Sequence, residues 1–149
     1  MTKLSDLSQK LSADLGLLKD KKIFIFGDIG IDEYVRGEVR RISPEAPVPV
    51  VEVTSTDKKL GLSGNVAANV ASLGGIPLLF SVIGNDQNGE NLKSLLTQNN
   101  ISTDHLIMDS SRETTSKLRV MSGQHHVVRV DYENRSPVTP EVLQSHSLT

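Results

Sequence analysis

Two aspartates follow an apolar run near the start of the chain, and their positions suit ligand binding. The run covers residues 23–26 between Lys22 and Gly27, and Asp28 and Asp32 follow within six residues of its end. Such a run is typical of a strand buried on both faces of a parallel sheet, and ligands bind these sheets beyond the carboxyl ends of their strands. A carboxylate there can accept hydrogen bonds from neighbouring hydroxyl groups. An isolated Gly-Asp pair also occurs in turns and caps, so both interpretations stay open at this point.

A second polar element, from Gly61 to Asn65, precedes an alanine-rich segment that covers residues 65–74. The segment carries apolar side chains at helical spacing and ends in two glycines, which predicts a short helix with Asn65 as its amino-terminal cap. Backbone N–H groups at a helix start also attract ligands, so Asn65 can be both a cap and a ligand contact. Gly61, which has no side chain, would let a ligand approach the backbone closely.

A proline-rich string lies between these two elements and reads Arg41-Ile42-Ser43-Pro44-Glu45-Ala46-Pro47-Val48-Pro49-Val50-Val51. Together with Gly27-Asp28 and Asp32 before it, residues 61–74 after it and Lys117-Leu118-Arg119-Val120 later, this string resembles the heptose 7-phosphate kinases of the ribokinase-like sugar kinase superfamily. The match is collinear from about residue 21 to residue 133, and collinear order is stronger evidence than any one of these motifs.

The resemblance implies an α/β protein with a partial ribokinase-like fold, in which a doubly wound, mainly parallel sheet carries a small β-sheet lid. Residues 1–149 would form the amino-terminal portion of one kinase domain, with lid segments at about 34–54 and 114–132. The implied reaction transfers the terminal phosphate of ATP to the anomeric hydroxyl of D-glycero-D-manno-heptose 7-phosphate. That reaction belongs to the cytoplasmic synthesis of lipopolysaccharide core precursors.

Family members carry the catalytic base in a Gly-Ala-Gly-Asp motif, and this sequence contains no such motif. We therefore expect the base to lie beyond Thr149 and the carboxyl-terminal ATP-binding half to be absent from this chain. ATP and Mg²⁺ would serve the full-length family member, whereas this chain by itself would bind neither and would be inactive.

The resemblance also assigns the binding residues. Asp32 corresponds to the superfamily aspartate that binds sugar hydroxyls, and Asp28, Gly61 and Asn65 complete the implied sugar site. The second glycine of the family pattern is replaced by Leu62, whose branched side chain is expected to tighten or distort the sugar pocket.

A 7-phosphate substrate needs cationic groups remote from the reacting hydroxyl, preferably an arginine fork. Four basic residues lie on the expected lid segments, and Arg41 is the first choice among them. The other three are Arg40, Lys117 and Arg119.

Periodicity predicts the elements that position these residues. The leucines of the first twenty residues predict an amphipathic helix, not a signal peptide or a membrane span. A βαβαβ pattern from residue 23 to about residue 108 predicts a parallel sheet. The expected strands are 23–26, 34–39, 48–54, 78–83, 105–108, 115–121 and 126–132, and the expected helices are 65–74, 87–98 with Asp86 as its cap, and 141–145.

Composition excludes several classes of function. The 149 residues suffice for one ordinary domain, and the net charge of -2 gives no general attraction to nucleic acid or to an anionic membrane. The chain has no cysteine, which excludes disulfides and thiolate metal sites. His125 and His126 could suggest a metal, but adjacent strand residues point to opposite faces, so we expect no metal site there.

Three functions stay open. The chain is the acceptor-binding portion of a heptose 7-phosphate kinase, a ribokinase-like kinase part with a different sugar specificity, or a module that binds sugar phosphate or forms a homodimer through its lid without catalysis. A dinucleotide-dependent dehydrogenase is disfavoured, because Gly27-Asp28-Ile29-Gly30 lacks the third glycine of that fingerprint.

Overall fold

The structure is a computed structural model that describes the backbone of residues 2–144 and the side chains of residues 6–144. Its elements follow one another along the chain as α1 (Thr2–Gly16), β1 (Lys22–Phe26), β2 (Ile29–Ile42), β3 (Pro49–Leu62), α2 (Ser63–Ser72), β4 (Ile76–Gly84), α3 (Gln87–Gln98), β5 (Leu106–Asp109), β6 (Thr115–Ser122), β7 (His125–Tyr132) and α4 (Pro140–Gln144). The last predicted helical residue, 145, lies outside the described residues.

A three-stranded parallel sheet with the order β1-β4-β5 forms the centre of the molecule, as the βαβαβ pattern predicts. Its buried side chains, such as Leu79 and Ile83, join Ala67 of α2 and Leu92 and Leu96 of α3 in one apolar core. The sheet and these two helices therefore form the layered α/β arrangement that the sequence indicates.

The prediction that β1 is buried on both faces is wrong. Only Ile25 of this strand is buried, whereas Phe24 and Phe26 are 62% and 78% exposed. Among the described residues β1 pairs with β4 only, so it is an edge strand. The apolar run therefore contains one buried residue, Ile25, and two phenylalanines, Phe24 and Phe26, on a face of the sheet that the described residues leave uncovered.

A second sheet of four strands, here called the mixed sheet, has the order β3-β2-β6-β7. β2 is antiparallel to β3 and parallel to β6, and β6 and β7 form the predicted hairpin. The sheet thus combines two segments that are distant in the sequence. Ile29, Ile31 and Leu60 at its base are buried in the central core, which anchors it to the rest of the molecule.

The first two strands of the mixed sheet are much longer than predicted. β2 and β3 pair from Ile29 opposite Leu62 to Ile42 opposite Pro49, with two irregularities along the way. Glycines at 30, 37 and 61, which alone suggest turns, lie within these strands. Pairing between the strands outweighs the weak preference of glycine for extended structure.

The two faces of the mixed sheet differ in chemistry because residues opposite one another share a face. The charged face carries Asp32, Tyr34, Arg36, Asp57, Lys59, Lys117, Arg119, Arg129 and Asp131. The valine face carries Val35, Leu118, Val120, Val128 and Val130, with the Glu33–Lys58 ion pair beside them.

The helices confirm one predicted cap and correct another. Helix α3 has its predicted bounds, and the Asp86 carboxylate accepts a hydrogen bond from the backbone N–H of Gly89 at 2.7 Å. Helix α2 begins at Ser63 after Leu62, so the prediction that Asn65 caps it is wrong. Asn65 is the third helical residue, because β3 continues up to the helix and leaves no loop in which Asn65 could act as a cap.

Helix α1 matches the predicted amphipathic segment, but its described leucines Leu7, Leu11 and Leu15 are exposed. Its apolar stripe therefore has no core partner within residues 6–144. None of the helices in the described part of the chain is long and apolar enough to cross a membrane.

Candidate functional site

A cavity of about 690 Å³ lies where β1 and β4 end and the mixed sheet begins. Asp28, Leu62 and Ser81 line it from the central sheet and the adjoining turns, and Thr115 and Lys117 line it from β6. This is the position beyond the carboxyl ends of parallel strands at which the sequence predicts ligand binding.

Asp32 lies inside β2 on the charged face, which excludes its interpretation as a turn or cap residue. Its Oδ1 accepts a hydrogen bond from Nη1 of Arg119 at 2.6 Å, and the side chains are 24% and 17% exposed. The same hydrogen bond raises the pKa of Arg119. A half-buried, charge-assisted pair of this kind holds the carboxylate in a fixed position.

Gly61 lies beside this pair on the neighbouring strand. A Cβ atom at Gly61 would be 3.0 Å from Cγ of Asp32, closer than most real Cβ contacts, so the carboxylate would have to shift. The structure therefore brings together three residues that sequence reasoning singled out, Asp32, Gly61 and Arg119. The absent side chain leaves room for the carboxylate and for whatever approaches it.

Lys117 joins the group from β6, and sequence reasoning missed three further members of it. In the strand register Asp32 lies opposite Lys59 on one side and Lys117 on the other. The ring of Tyr34 has Arg36, Lys59 and Arg119 at 5.0, 5.7 and 5.3 Å from its centroid. The alternation of residues 57–61 places Lys59 on a definite face, but only the register shows that Asp32 shares it.

Asp28 lines the cavity, Asn65 is not among its lining residues, and neither belongs to this group. Asp28 is exposed at the cavity wall, and its carbonyl accepts a hydrogen bond from the N–H of Ser63 at 3.0 Å. Asn65 is exposed in the first turn of α2. The carbonyl of Gly27 accepts hydrogen bonds from Ser63 and Ser81 at 3.2 and 2.6 Å, which ties β1, α2 and β4 together.

Leu62 has an unusual backbone at the junction between β3 and α2. Its φ of 55° and ψ of -129° combine in a region that glycine adopts readily and leucine rarely does. The side chain is 41% exposed and lines the cavity. The position at which the family pattern has a glycine therefore keeps a glycine-like conformation.

Arg40 and Arg41 lie far along the same strand. Arg41 is nine residues beyond Asp32, which corresponds to roughly 30 Å of extended strand. It is exposed, and Arg40 forms an ion pair with Glu38 at 2.6 Å. Within one chain the structure does not bring either arginine to the group around Asp32.

Arg112 is a further cation at the cavity that sequence reasoning missed. Its Nε donates to Oδ2 of Asp109 at 2.8 Å, and Asp109 is only 5% exposed. Hydrogen bonds from Ser111, followed by the one from Arg112, lower the pKa of Asp109 to about 2. Since Asp109 stays ionised, it fixes the guanidinium at the cavity wall.

Residues 6–144, whose side chains the structure describes, contain no group of three or more metal-binding side chains. His125 and His126, the only adjacent histidines of the chain, accordingly belong to no such cluster there.

Solved structures with a similar fold include kinases. A nucleoside kinase from Methanocaldococcus jannaschii, an archaeal member of the ribokinase family, superposes with a TM-score of 0.56 at 20% identity over 76% of this chain and 37% of that chain. This likeness confirms the predicted ribokinase-like fold class.

Sequence comparison then defines the family. Residues 20–147 match the pfkB family of carbohydrate kinases, and the chain belongs to that family. It is 38% identical to the bifunctional protein HldE of Pelobacter propionicus over 84% of this chain and 26% of that protein. It is 43% identical to the D-beta-D-heptose 7-phosphate kinase of Bordetella bronchiseptica over 75% of this chain and 36% of that protein. The chain thus spans about a quarter to a third of these curated relatives.

Proposed function

We propose that this chain is the sugar-binding part of a carbohydrate kinase that phosphorylates the anomeric hydroxyl of heptose 7-phosphate with ATP. The observation that carries the proposal is the Asp32–Arg119 pair beside Gly61, at the base of the mixed sheet and next to the cavity. Family membership and the relatives named as heptose 7-phosphate kinases support this substrate class.

Asp32 suits the binding of sugar hydroxyls. Arg119 occupies Oδ1, and within residues 6–144 no donor is hydrogen-bonded to Oδ2. Oδ2 can therefore accept hydrogen bonds from hydroxyl groups, while Arg119 keeps the carboxylate oriented and charged. In this proposal Gly61 gives the sugar access to Asp32, Asp28 and Asn65 bind further hydroxyl groups, and the mixed sheet acts as the lid.

The phosphate donor would bind to groups that this chain does not supply. ATP with Mg²⁺ provides the transferred phosphate, and the family places the base in a Gly-Ala-Gly-Asp motif that this sequence lacks. Phosphoryl transfer depends on positioning and charge stabilisation by such groups together. We therefore propose that the chain by itself binds sugar phosphate without catalysis, within a cytoplasmic pathway to lipopolysaccharide precursors.

A matched pair of variants tests the sugar site. Asp32→Asn keeps the shape of the side chain and removes the charge-assisted acceptor, so heptose 7-phosphate should bind more weakly by roughly 1.5 to 3 kcal/mol. Glu33→Gln makes the same change of charge on the neighbouring residue, which faces the other side of the sheet. Calorimetric titration should show weaker binding for Asp32→Asn only, and equal affinities for all three proteins would exclude Asp32 from the site.

Two observations favour additional proposals about the same molecule. Val128 and Val130 on the valine face are exposed, which supports a homodimer formed through the lid.

Leu62 lines the cavity where the family has a glycine, which favours an altered sugar specificity within the ribokinase-like kinases. Titration of heptose 7-phosphate against other sugar phosphates, with the parent chain and Leu62→Gly, separates altered from retained specificity.

A further inference from the structure

We infer that Lys59 and Lys117, which lie on either side of Asp32, form the subsite for the phosphate group of the sugar phosphate. The inference rests on the proposed function, because it assigns one part of the substrate to one part of the proposed site. It keeps Lys117 from the four candidates that the sequence offers, replaces Arg41, the first choice among them, and adds Lys59.

The strand register places the two lysines symmetrically about Asp32. Lys59 of β3 and Lys117 of β6 are both directly opposite Asp32 of β2, so all three side chains leave the same face. Neighbouring strands are about 4.8 Å apart, which puts the two lysine Cα atoms about 10 Å apart. Flexible four-carbon side chains can bring both ammonium groups to one anion above that row.

Neither lysine forms an ion pair with another described residue, and the carboxylate opposite Lys117 on the same face, Asp131, is paired with Arg129. Arg119 is paired with Asp32 and Arg36 with Asp57, whereas neither Lys59 nor Lys117 has a carboxylate oxygen within 4.0 Å in residues 6–144. A phosphate monoester carries nearly two negative charges at neutral pH, which two such ammonium groups match. Because Asp32 lies between them, the ligand that fits carries hydroxyl groups as well as a phosphate.

The adjacent residue Lys58 shows that this arrangement is specific to one face. It forms an ion pair with Glu33 at 3.6 Å, and both point away from the charged face. Lys58 and Lys59 therefore differ in surroundings but not in chemistry. This pair offers a control variant with an identical change of charge.

The test compares heptose 7-phosphate with the same heptose lacking the phosphate, titrated into the 149-residue chain and its variants. Lys59→Gln should weaken binding of the 7-phosphate roughly tenfold and leave binding of the unphosphorylated heptose within about twofold. Lys117→Gln should act in the same sense. Lys58→Gln and Arg41→Gln should bind both compounds as the parent does, and Lys59→Arg should recover most of the lost affinity.

The outcomes separate this inference from the proposed function. Asp32→Asn could lose binding of both heptose compounds while Lys59→Gln and Lys117→Gln keep the affinities of the parent. That result would support the sugar site and overturn the lysine subsite. Loss of the 7-phosphate in Arg41→Gln instead of the lysine variants would overturn it too. A parent chain that binds neither compound would overturn the proposed function and this inference together. Thermal unfolding of each variant shows that changes in affinity do not come from loss of fold.

Discussion

Leu62 has a backbone conformation that is unfavourable for a residue with a side chain. A leucine at φ 55° and ψ -129° is strained, since its Cβ meets the neighbouring peptide groups in this region. The cost of such conformations is about 1–3 kcal/mol, and glycine avoids it. The side chain is 41% exposed, so packing compensates for only part of this strain.

Leu62→Gly should therefore stabilise the chain by roughly 1 kcal/mol, because relief of strain exceeds the added entropy of glycine in the unfolded state. Leu73→Gly is the matched control, since Leu73 is 43% exposed but has an ordinary φ of -87°. Urea unfolding should show a higher midpoint for Leu62→Gly and a lower one for Leu73→Gly. A decrease in both would show that the conformation of Leu62 is not costly.

Asp86 joins two elements and shows how one carboxylate fixes their relative position. It accepts hydrogen bonds from the N–H of Gly89 at the start of α3 and from the N–H of Thr114 before β6, at 2.7 and 2.8 Å. Burial by itself would raise the pKa of Asp86, but the hydrogen bonds from Thr114, Gly89 and Asn88 outweigh it, and the pKa is lowered. Asp86 thereby fixes the segment that leads into β6 against the start of helix α3.

Asp86→Asn should destabilise the chain by roughly 1–3 kcal/mol at pH 7, because one carboxamide oxygen replaces two acceptors and the amide N–H₂ faces a donor. A lowered pKa means that the carboxylate stabilises the fold above its ordinary pKa of 3.8 and loses this effect as pH falls through the folded value. Urea unfolding should thus show a difference from the parent that narrows below pH 4. As a control, the exposed Asp104→Asn should have the same free energy of unfolding as the parent at pH 7. If Asp86→Asn were as stable as the parent, the hydrogen bonds of Asp86 to Gly89 and Thr114 would not stabilise the fold.

Elements with local signals were predictable from the sequence, whereas contacts between distant segments were not. Helix α3 has its cap, its apolar spacing and its end within a short stretch, and the hairpin of β6 and β7 has a glycine turn between alternating residues. The extension of β2 and β3 depends on their mutual pairing over residues 29–62. Lys59 joins Asp32 and Lys117 only through the register of three strands, which alternation within one strand cannot specify.

At the scale of the whole molecule, two apolar sheet faces remain uncovered in the described structure, in addition to the leucine stripe of helix α1. One is the aromatic face of the central sheet at its edge strand, where Phe24 stacks on Phe80 at 4.3 Å and Phe26 is exposed. The other is the valine face of the mixed sheet, which includes the exposed Val128. An unpaired edge strand can add strands from further copies of the chain without limit. A self-complementary sheet face instead pairs two copies in a dimer with twofold symmetry.

The two surfaces should therefore respond differently to a buried charge. Val128→Lys should convert dimers into monomers, because a lysine ammonium on the valine face would be desolvated in a twofold interface. Phe26→Lys should leave the dimer intact and remove species larger than a dimer, because charge on an edge strand opposes further strand addition. Sedimentation velocity at tens of micromolar distinguishes these results. Arg41→Lys, which leaves the net charge unchanged, is the control and should sediment as the parent does. A parent chain that sediments as a monomer with cooperative unfolding would contradict both expectations, since neither exposed surface would then drive association.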